Sequence, residues 1–422
     1  MELRIGTEKS LTIKKDESIY ETLKRNGIYL VSACGGKGTC GKCKVKIIEG
    51  DCDIAGYGKL DEKERKHGFV LACQAIAKSD ISIEIPLTSQ LTVGDKIAIS
   101  RTKDIFEEFL KLNIPINSPV TRLPVQLTPP TLKDSTSDLE RLKAFLQDRG
   151  LNLFLSEDFV RKLPEKMRKE NWHFNLCYEE VEQRVLFIES LSEKRTPYGL
   201  AIDIGTTTVV MYLVNLNDGN AIDVGSTYNS QMRYGDDVIT RIVHASEGRG
   251  LKELKAAIIQ DLNILINSLL EKNHLTRDQL ESVVLAGNTT MAHLMWGINP
   301  ESIRKEPYVP VVQRFPVWSS RDGGIKIKSE APVYTLPCVA SYMGADIVAG
   351  VLATGMYKKE EIALFMDIGT NGEIVIGNND WLISASCSAG PCFEGGVIKH
   401  GMRATEGAIE RINIDPLTFS RN

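Results

Sequence analysis

Nowhere in this 422-residue chain is there a run of about 18 apolar residues, so nothing in it reads as a membrane span. The N-terminal stretch MELRIGTEKSLTIKKDESIY lacks the apolar centre of a secretory signal. Neither sign of charge is in excess. The 51 Lys and Arg against 55 Asp and Glu leave a formal charge of −4, and no basic stripe is visible. That removes the electrostatic case for a nucleic-acid partner. The six histidines show no H-x3-H or H-E-x2-H pairing, so the common histidine-based metal sites are not signalled. What remains, at 42% hydrophobic and 25% charged residues, is ordinary globular composition, and the length predicts two to four domains.

Cysteine is present in a telling way. Nine residues is an odd count, and they cluster instead of spreading as a disulfide framework. A reducing, cytoplasmic setting and a metal or cluster role are therefore expected. The stretch CGGKGTCGKC holds Cys34, Cys40 and Cys43, and FVLACQA supplies Cys73, giving C-x5-C-x2-C-x29-C. Four thiolates with a tight trio and one distant partner match the ligation of a [2Fe–2S] centre. Three ligands on one loop must wrap a compact inorganic core, so small residues lie between them and backbone N–H groups stay near the sulfurs. A structural zinc site would want a second paired knuckle, which Cys73 lacks. Cys52 breaks the spacing and reads as a small buried residue.

Around these cysteines LRIG and LTIKK read as a hairpin, Glu17 to Asn26 as a short helix, and KVKIIEG and ISIEIPL as strands. Residues 1–86 resemble the β-grasp ferredoxins. The first gap is one residue longer than in the plant type and closer to the adrenodoxin type. With 15 Lys/Arg and 13 Asp/Glu, this segment has little means of steering a partner by charge.

Residues 87–130, with INSPV and LTPPTL, read as a linker. A middle α+β domain is expected over 131–197. Its first helix opens at the capping box Ser137–Glu140 and carries Leu139, Leu142, Phe145 and Leu146 on one face. A second, short helix starts at Ser156 and is expected to be interrupted by Pro164, and RVLFIES reads as a strand. His173 and Cys177 read as a structural pair.

The remainder, 198–422, contains a duplication. LAIDIGTTTVVMYLVNLNDGNAIDVGSTY and IALFMDIGTNGEIVIGNNDWLISAS each read as a strand ending in Asp-Ile-Gly-Thr, a tight turn, and two further strands. The Asp203-to-Asp367 offset of 164 residues marks a duplicated domain core. Gly205 and Gly369 let the backbone approach a phosphate, and consecutive N–H groups form an anion nest. Thr206, Thr207 and Thr208, with Thr370, Asn371 and Gly372 in the second copy, complete the two candidate phosphate turns. Asp203 and Asp367, at strand ends, are candidate catalytic carboxylates that would hold Mg²⁺ through water or orient an attacking water. Asp236 and Asp237 read as helix caps and secondarily as cleft residues. Gly344 and Gly350 would permit a close helix crossing between lobes. Cys387 and Cys392 read as ordinary buried thiols, and Glu394 as a candidate interlobe contact.

The repeat looks like the phosphate loops of the actin, Hsp70 and sugar-kinase superfamily. Taken with the iron–sulfur module and the motifs DIGTTT, GNTTM, DIGTNGE and AGPCFEGGVIKHGMRATEGAI, the chain resembles the reductive activators of corrinoid enzymes. The resemblance implies an ATP-hydrolysing, iron–sulfur electron-transfer enzyme with a multidomain fold: β-grasp ferredoxin, middle domain, and actin-like ATPase domain. It would use a [2Fe–2S] cluster, ATP and Mg²⁺ to return a corrinoid protein from Co(II) to Co(I). Expected partners are the corrinoid protein, a low-potential electron donor and, as an assembly left open, a second copy in a homodimer; neither nucleic acid nor membrane is expected. Two alternatives stand beside it: a redox and nucleotide sensor without turnover, and an activator of another low-potential enzyme such as a 2-hydroxyacyl-CoA dehydratase. Only 55 residues follow Asp367, so the second lobe is expected to be incomplete and to expose apolar surface.

Overall fold

The structure is a computed structural model. It describes residues 1–6, 9–26, 28, 30, 38, 41–58, 60–86, 89, 117–193, 195–235, 237–369 and 372–387.

The first unit is a mixed sheet grasping one helix. Strands β1 (Glu2–Ile5) and β2 (Lys9–Thr12) form the expected hairpin. Strands β3 (Lys44–Glu49), β5 (Phe69–Leu71) and β7 (Ile81–Glu84) complete a sheet of order β2-β1-β7-β3-β5. Between them β4 (Cys52–Ile54) pairs with β6 (Ala75–Ala77). Helix α1 (Ile19–Arg25) begins where the sequence demands, because Ser18 accepts from the Glu21 N–H at 3.2 Å while Glu21 accepts from the Ser18 N–H at 3.3 Å. Its Ile19, Tyr20 and Leu23 bury against Leu3, Val45, Leu71, Ile81 and Ile83.

The middle unit is a three-stranded antiparallel sheet of order β10-β9-β8, with β8 at Thr121–Gln126, β9 at His173–Glu179 and β10 at Arg184–Ser190. Two corrections to the sequence reading arise here. Strand β8 falls inside the stretch assigned to the linker; Pro124 hid it, and the chain tolerates that proline because β8 lies at the sheet edge. Pro164 does not interrupt its helix. After α2 (Glu62–Lys66) and α3 (Asp138–Gln147), α4 runs unbroken over Glu157–Lys169. Its buried Phe159, Leu163 and Met167 hold the helix to the sheet, while Pro164 faces solvent, where its missing N–H costs least.

The third unit carries the duplication. Strands β11 (Tyr198–Ile204), β12 (Thr208–Asn215) and β13 (Ala221–Tyr228) form the first meander. Strands β14 (Leu280–Gly287), β15 (Trp318–Ser319) and β16 (Pro332–Thr335) extend it to a six-stranded sheet of order β13-β12-β11-β14-β16-β15. Strand β11 runs antiparallel to β12 but parallel to β14. Leu200, Ile202 and Ile204 pack on Leu254, Ile258 and Leu262. The latter three lie on α6 (Gly250–Lys272), which follows α5 (Val238–Ala245) and precedes α7 (Thr289–Trp296). Helix α8 (Ala345–Thr354) leads into the second meander, β17 (Ala363–Ile368), β18 (Gly372–Gly377) and β19 (Leu382–Cys387). One face of β17 lies bare, with Leu364, Met366 and Ile368 each more than half exposed.

The middle unit is bolted to the third by charge. Arg122 on β8 binds Glu189 at 2.8 Å and Glu281 on β14 at 2.6 Å, and Lys328 reaches the other Glu281 oxygen at 3.3 Å. Glu281 and Glu189 are buried below one tenth exposure. Removing Arg122 leaves Glu189 without its cation and Glu281 with Lys328 alone. Arg122→Met is therefore expected to cost about 3 kcal/mol, seen as a lower denaturant midpoint for the joined middle and third units.

Candidate functional site

Two sites emerge from the sequence candidates. In the first, register does the assembling. Strand β3 pairs with β5 so that Lys44 faces Leu71, and the Ala72 N–H donates to the Cys43 carbonyl at 2.8 Å. This brings Cys43 and Cys73, thirty positions apart, to an Sγ–Sγ separation of 3.3 Å. The distance is far outside disulfide bonding, about 2.05 Å. It is close to the roughly 3.8 Å edge of a tetrahedron with metal–sulfur bonds of about 2.3 Å, so the pair fits two ligands on one metal ion. Cys43 is buried and Cys73 half-buried. The Gln74 side-chain amide lies 3.9 Å from Cys73 Sγ, a donor for the ligand sulfur. At Gly38, with φ of +79°, a Cβ would fall 2.6 Å from Gln74 Nε2, so any other residue there would be strained and would displace that amide. Cys34 and Cys40 lie outside the described residues. Cys52 is half-buried on β4, its thiol pushed up by burial and then by Asp51 and Asp53.

The second site lies where the parallel strands β11 and β14 end, the usual place for a ligand in an open sheet. The Gly205 N–H closes the first turn on the Thr208 carbonyl at 2.9 Å, and a Cβ at Gly205 would meet that same oxygen at 2.7 Å. Thr206 is buried, and its Oγ1 accepts from Asn288 Nδ2 at 3.1 Å. Asn288 is the cap of α7, so the GNTTM segment touches the phosphate turn directly. Thr207 and Thr208 lie half-buried beside it. In the second copy Asp367 is the penultimate residue of β17, Gly369 begins the turn and Gly372 begins β18, while Thr370 and Asn371 lie outside the described residues.

The helix between the copies ties them together. A Cβ at Gly344 would fall 2.4 Å from the Asn288 Cα, and one at Gly350 would fall 2.2 Å from the Phe365 ring. Both glycines thus serve the close crossing anticipated from the sequence. The first turn of α8 places Asp346 in the cleft. Strand pairing sets Glu373 directly opposite Asp367, where the first copy has Val210 opposite Asp203. Sequence reading named neither Asp346 nor Glu373, although Glu373 stands inside the DIGTNGE motif.

The electrostatics identify one shared cleft. Asp203 is open to water at its rim, yet the cleft walls surround it. Burial first, then Asp346 and Asp367, push its carboxyl up to about 7. Asp346 is pushed up to about 6, mainly by burial and also by Asp367. Glu373 goes to about 7 by burial, then by Asp346 and Asp367, and Asp367 itself is raised by burial. Among the described residues no three acidic, cysteine or histidine side chains converge tightly enough to chelate an ion directly.

Asp237 caps α5 in a box with Thr240, and Asp236 lies outside the described residues. Cys387 corrects the reading of a buried thiol: it is exposed, because β19 is the edge strand of an open meander. Cys392 and Glu394 lie outside the described residues. No helix among the described residues is long and apolar enough to cross a membrane.

Comparison with known proteins agrees with this architecture. Family models match residues 3–78 as a 2Fe-2S iron-sulfur cluster binding domain and 110–194 as the RACo linker region. Others match 198–359 as the RACo middle region and 361–422 as the C-terminal ASKHA domain of RACo. A solved structure of a reductive activator for corrinoid, iron-sulfur protein is 38% identical, with a TM-score of 0.65 over 100% of this chain and 68% of that one. The corrinoid activation enzyme RamQ of Eubacterium limosum is 29% identical over 98% of this chain, and the chain spans 65% of its length. The N-terminal unit alone is similar to one component of the Na⁺-translocating NADH-quinone reductase of Marinomonas sp. (strain MWYL1), at 38% identity over 89 residues, 20% of this chain and 21% of that one. Matched successively by an iron–sulfur domain and by the linker, middle and C-terminal ASKHA regions of RACo, and 38% identical over its whole length to a solved activator, the chain belongs to the RACo family of reductive activators of corrinoid proteins.

Proposed function

We propose that the protein is an ATP-dependent reductive activator that delivers one electron to a corrinoid protein, converting Co(II) to Co(I). The observation that carries this reading is the presence, in one chain, of a paired-thiol site and an acidic cleft between two phosphate turns. Cys43 and Cys73, with Cys34 and Cys40, would hold the [2Fe–2S] group, which when bound supplies a one-electron carrier near about −400 mV. Half-buried Cys73 keeps that site close to the surface, as electron exchange with a low-potential donor and with the cobalt requires. Reduction of Co(II) is harder than reduction of such a carrier, so a second energy source is needed.

The cleft meets that need. Thr206, Thr207 and Thr208 would hold a phosphate by hydroxyl and backbone N–H groups, and Asp203 and Asp367 would hold Mg²⁺ through its waters. Asp346 and Glu373 add negative charge that a cation would offset. Closure of the two meanders on α8 would couple nucleotide occupancy to the arrangement of the units.

Anaerobic, pre-reduced protein mixed with a Co(II) corrinoid protein tests this reading. Co(I) absorbance is expected to rise with Mg-ATP and to stay flat without it. Co(I) accumulating equally without nucleotide would remove ATP from the reading.

A further inference from the structure

We propose that Asn229 and Arg241 are positioning residues that turn the backbone N–H groups of the first phosphate turn toward the cleft. This rests on the nucleotide reading above and adds residues that the DIGT motif does not contain.

Three successive carbonyls of the turn are held from one side. Asn229 Nδ2 donates to the Gly205 carbonyl at 2.8 Å, Arg241 Nη2 to the Thr206 carbonyl at 2.5 Å, and the Asn229 N–H to the Thr207 carbonyl at 2.8 Å. In a trans peptide the C=O of one residue and the N–H of the next point in opposite directions. Fixing these three carbonyls therefore turns the N–H groups of Thr206, Thr207 and Thr208 to the opposite side of the turn. A phosphate needs that orientation, with consecutive donors converging on one anion.

The brace is itself anchored. Asn229 and Arg241 are both fully buried. Asn229 Oδ1 accepts from the Gln231 N–H at 3.0 Å, and the adjoining Ser230 is clamped to Asp261 on α6 through its N–H at 2.8 Å and its hydroxyl at 2.7 Å. Arg241 spans two targets, with Nε on the Gly235 carbonyl at 2.8 Å and Nη2 on Thr206. Only a planar guanidinium donates in two directions from one rigid fork, and its charge strengthens both bonds. A lysine keeps the charge and makes one of the two contacts.

Two variants test the brace in the complete protein. Asn229→Asp keeps the shape and the acceptor for Gln231 but has no donor for Gly205, and Arg241→Lys keeps the charge. Calorimetric titration with Mg-ATP is paired with amide hydrogen exchange of the 206–208 backbone and with a thermal melt. The expected result is a loss of ATP affinity of about 10- to 100-fold in Asn229→Asp and a smaller loss in Arg241→Lys. Exchange at 206–208 accelerates in both, while the iron–sulfur absorbance and the exchange of α6 stay as in the parent. ATP affinity equal to the parent in both variants would overturn the proposal, as would lost affinity with unchanged exchange at the turn. If the parent itself binds no ATP, the nucleotide reading fails on its own. The exchange data still decide the brace: acceleration confined to the turn supports it, and unchanged exchange overturns it.

Discussion

Replacing Cys73 with serine is expected to strip the protein of iron–sulfur absorbance and of all electron delivery to cobalt. The expectation follows from the register that sets Cys73 Sγ 3.3 Å from Cys43 Sγ, where both thiolates would fall on one metal ion. Two thiolates so close repel unless a cation lies between them, and the site is fully formed only with metal bound. Serine keeps the volume but offers an oxygen held by a proton at neutral pH, so it is a poor ligand for iron. Changing even an outer partner of a metal ligand costs about 10- to 100-fold in metal affinity, and loss of a ligand costs more. Iron and acid-labile sulfide per chain, with the EPR signal of the reduced protein, read the outcome directly. Full cluster content in Cys73→Ser would remove Cys73 from the ligand set. Cys177→Ser is the contrast: that thiol is buried on β9 and pushed far above its ordinary range, first by burial and then by Glu189, and its loss should leave iron content unchanged.

Much of this site was legible because local rules and tertiary structure agree. The spacing of the cysteines named all four candidates, and the stretch Glu17 to Asn26 contained the helix that the ferredoxin-like sheet grasps, whose Ser18–Glu21 box the structure supplies. Both meanders were legible for the same reason, since their turns carry glycine and their strands alternate. What escaped depends on register and on distant contacts. The two DIGT turns look equivalent in sequence. Yet Ile204 pairs with Val209 while Ile368 pairs with Gly372, so the first turn is one residue longer. In the second copy that single residue sets Glu373 opposite Asp367, where the first-copy register would set Ile374, because a one-residue slip exchanges the two faces. Asn229 and Arg241 lie 24 and 35 positions from the carbonyls they hold; the pairing of β13 with β12 brings the first there, and the placement of α5 the second. Pro164 and Pro124 misled in the opposite sense. Pro124 obeys its rule at a sheet edge, whereas Pro164 breaks its rule inside a helix that the burial of Phe159, Leu163 and Met167 holds in place.

Asp203→Asn should separate stability from activity. With its carboxyl pushed up to about 7, Asp203 is bound more favourably by the folded chain in its protonated form. An unfolded aspartate titrates near 3.9, so the folded state loses stability as pH climbs from about 4 to about 7, and the penalty is constant above that. Asp346 and Glu373, raised to about 6 and about 7, act in the same direction over the same window. Without nucleotide or cation, the cleft region is therefore expected to melt at lower temperature at pH 8 than at pH 5. Asparagine at 203 removes one of these like charges, so the variant should melt higher than the parent at pH 8 and match it near pH 4. Mg²⁺ is expected to reverse the balance, as a cation held by the ionised carboxylates would. Its stabilisation of the parent should grow between pH 5.5 and 8, and most of that growth should disappear in Asp203→Asn. ATP turnover in the variant is expected to fall on the order of 100-fold or more, the loss typical of removing one preorganised electrostatic group from a reacting centre. A variant that is less stable than the parent at pH 8, or that keeps full Mg²⁺ response, would show that Asp203 does not sit in a cluster of mutually repelling carboxylates. A higher melt with lost turnover is the pattern of a site whose chemistry is held at the expense of the fold.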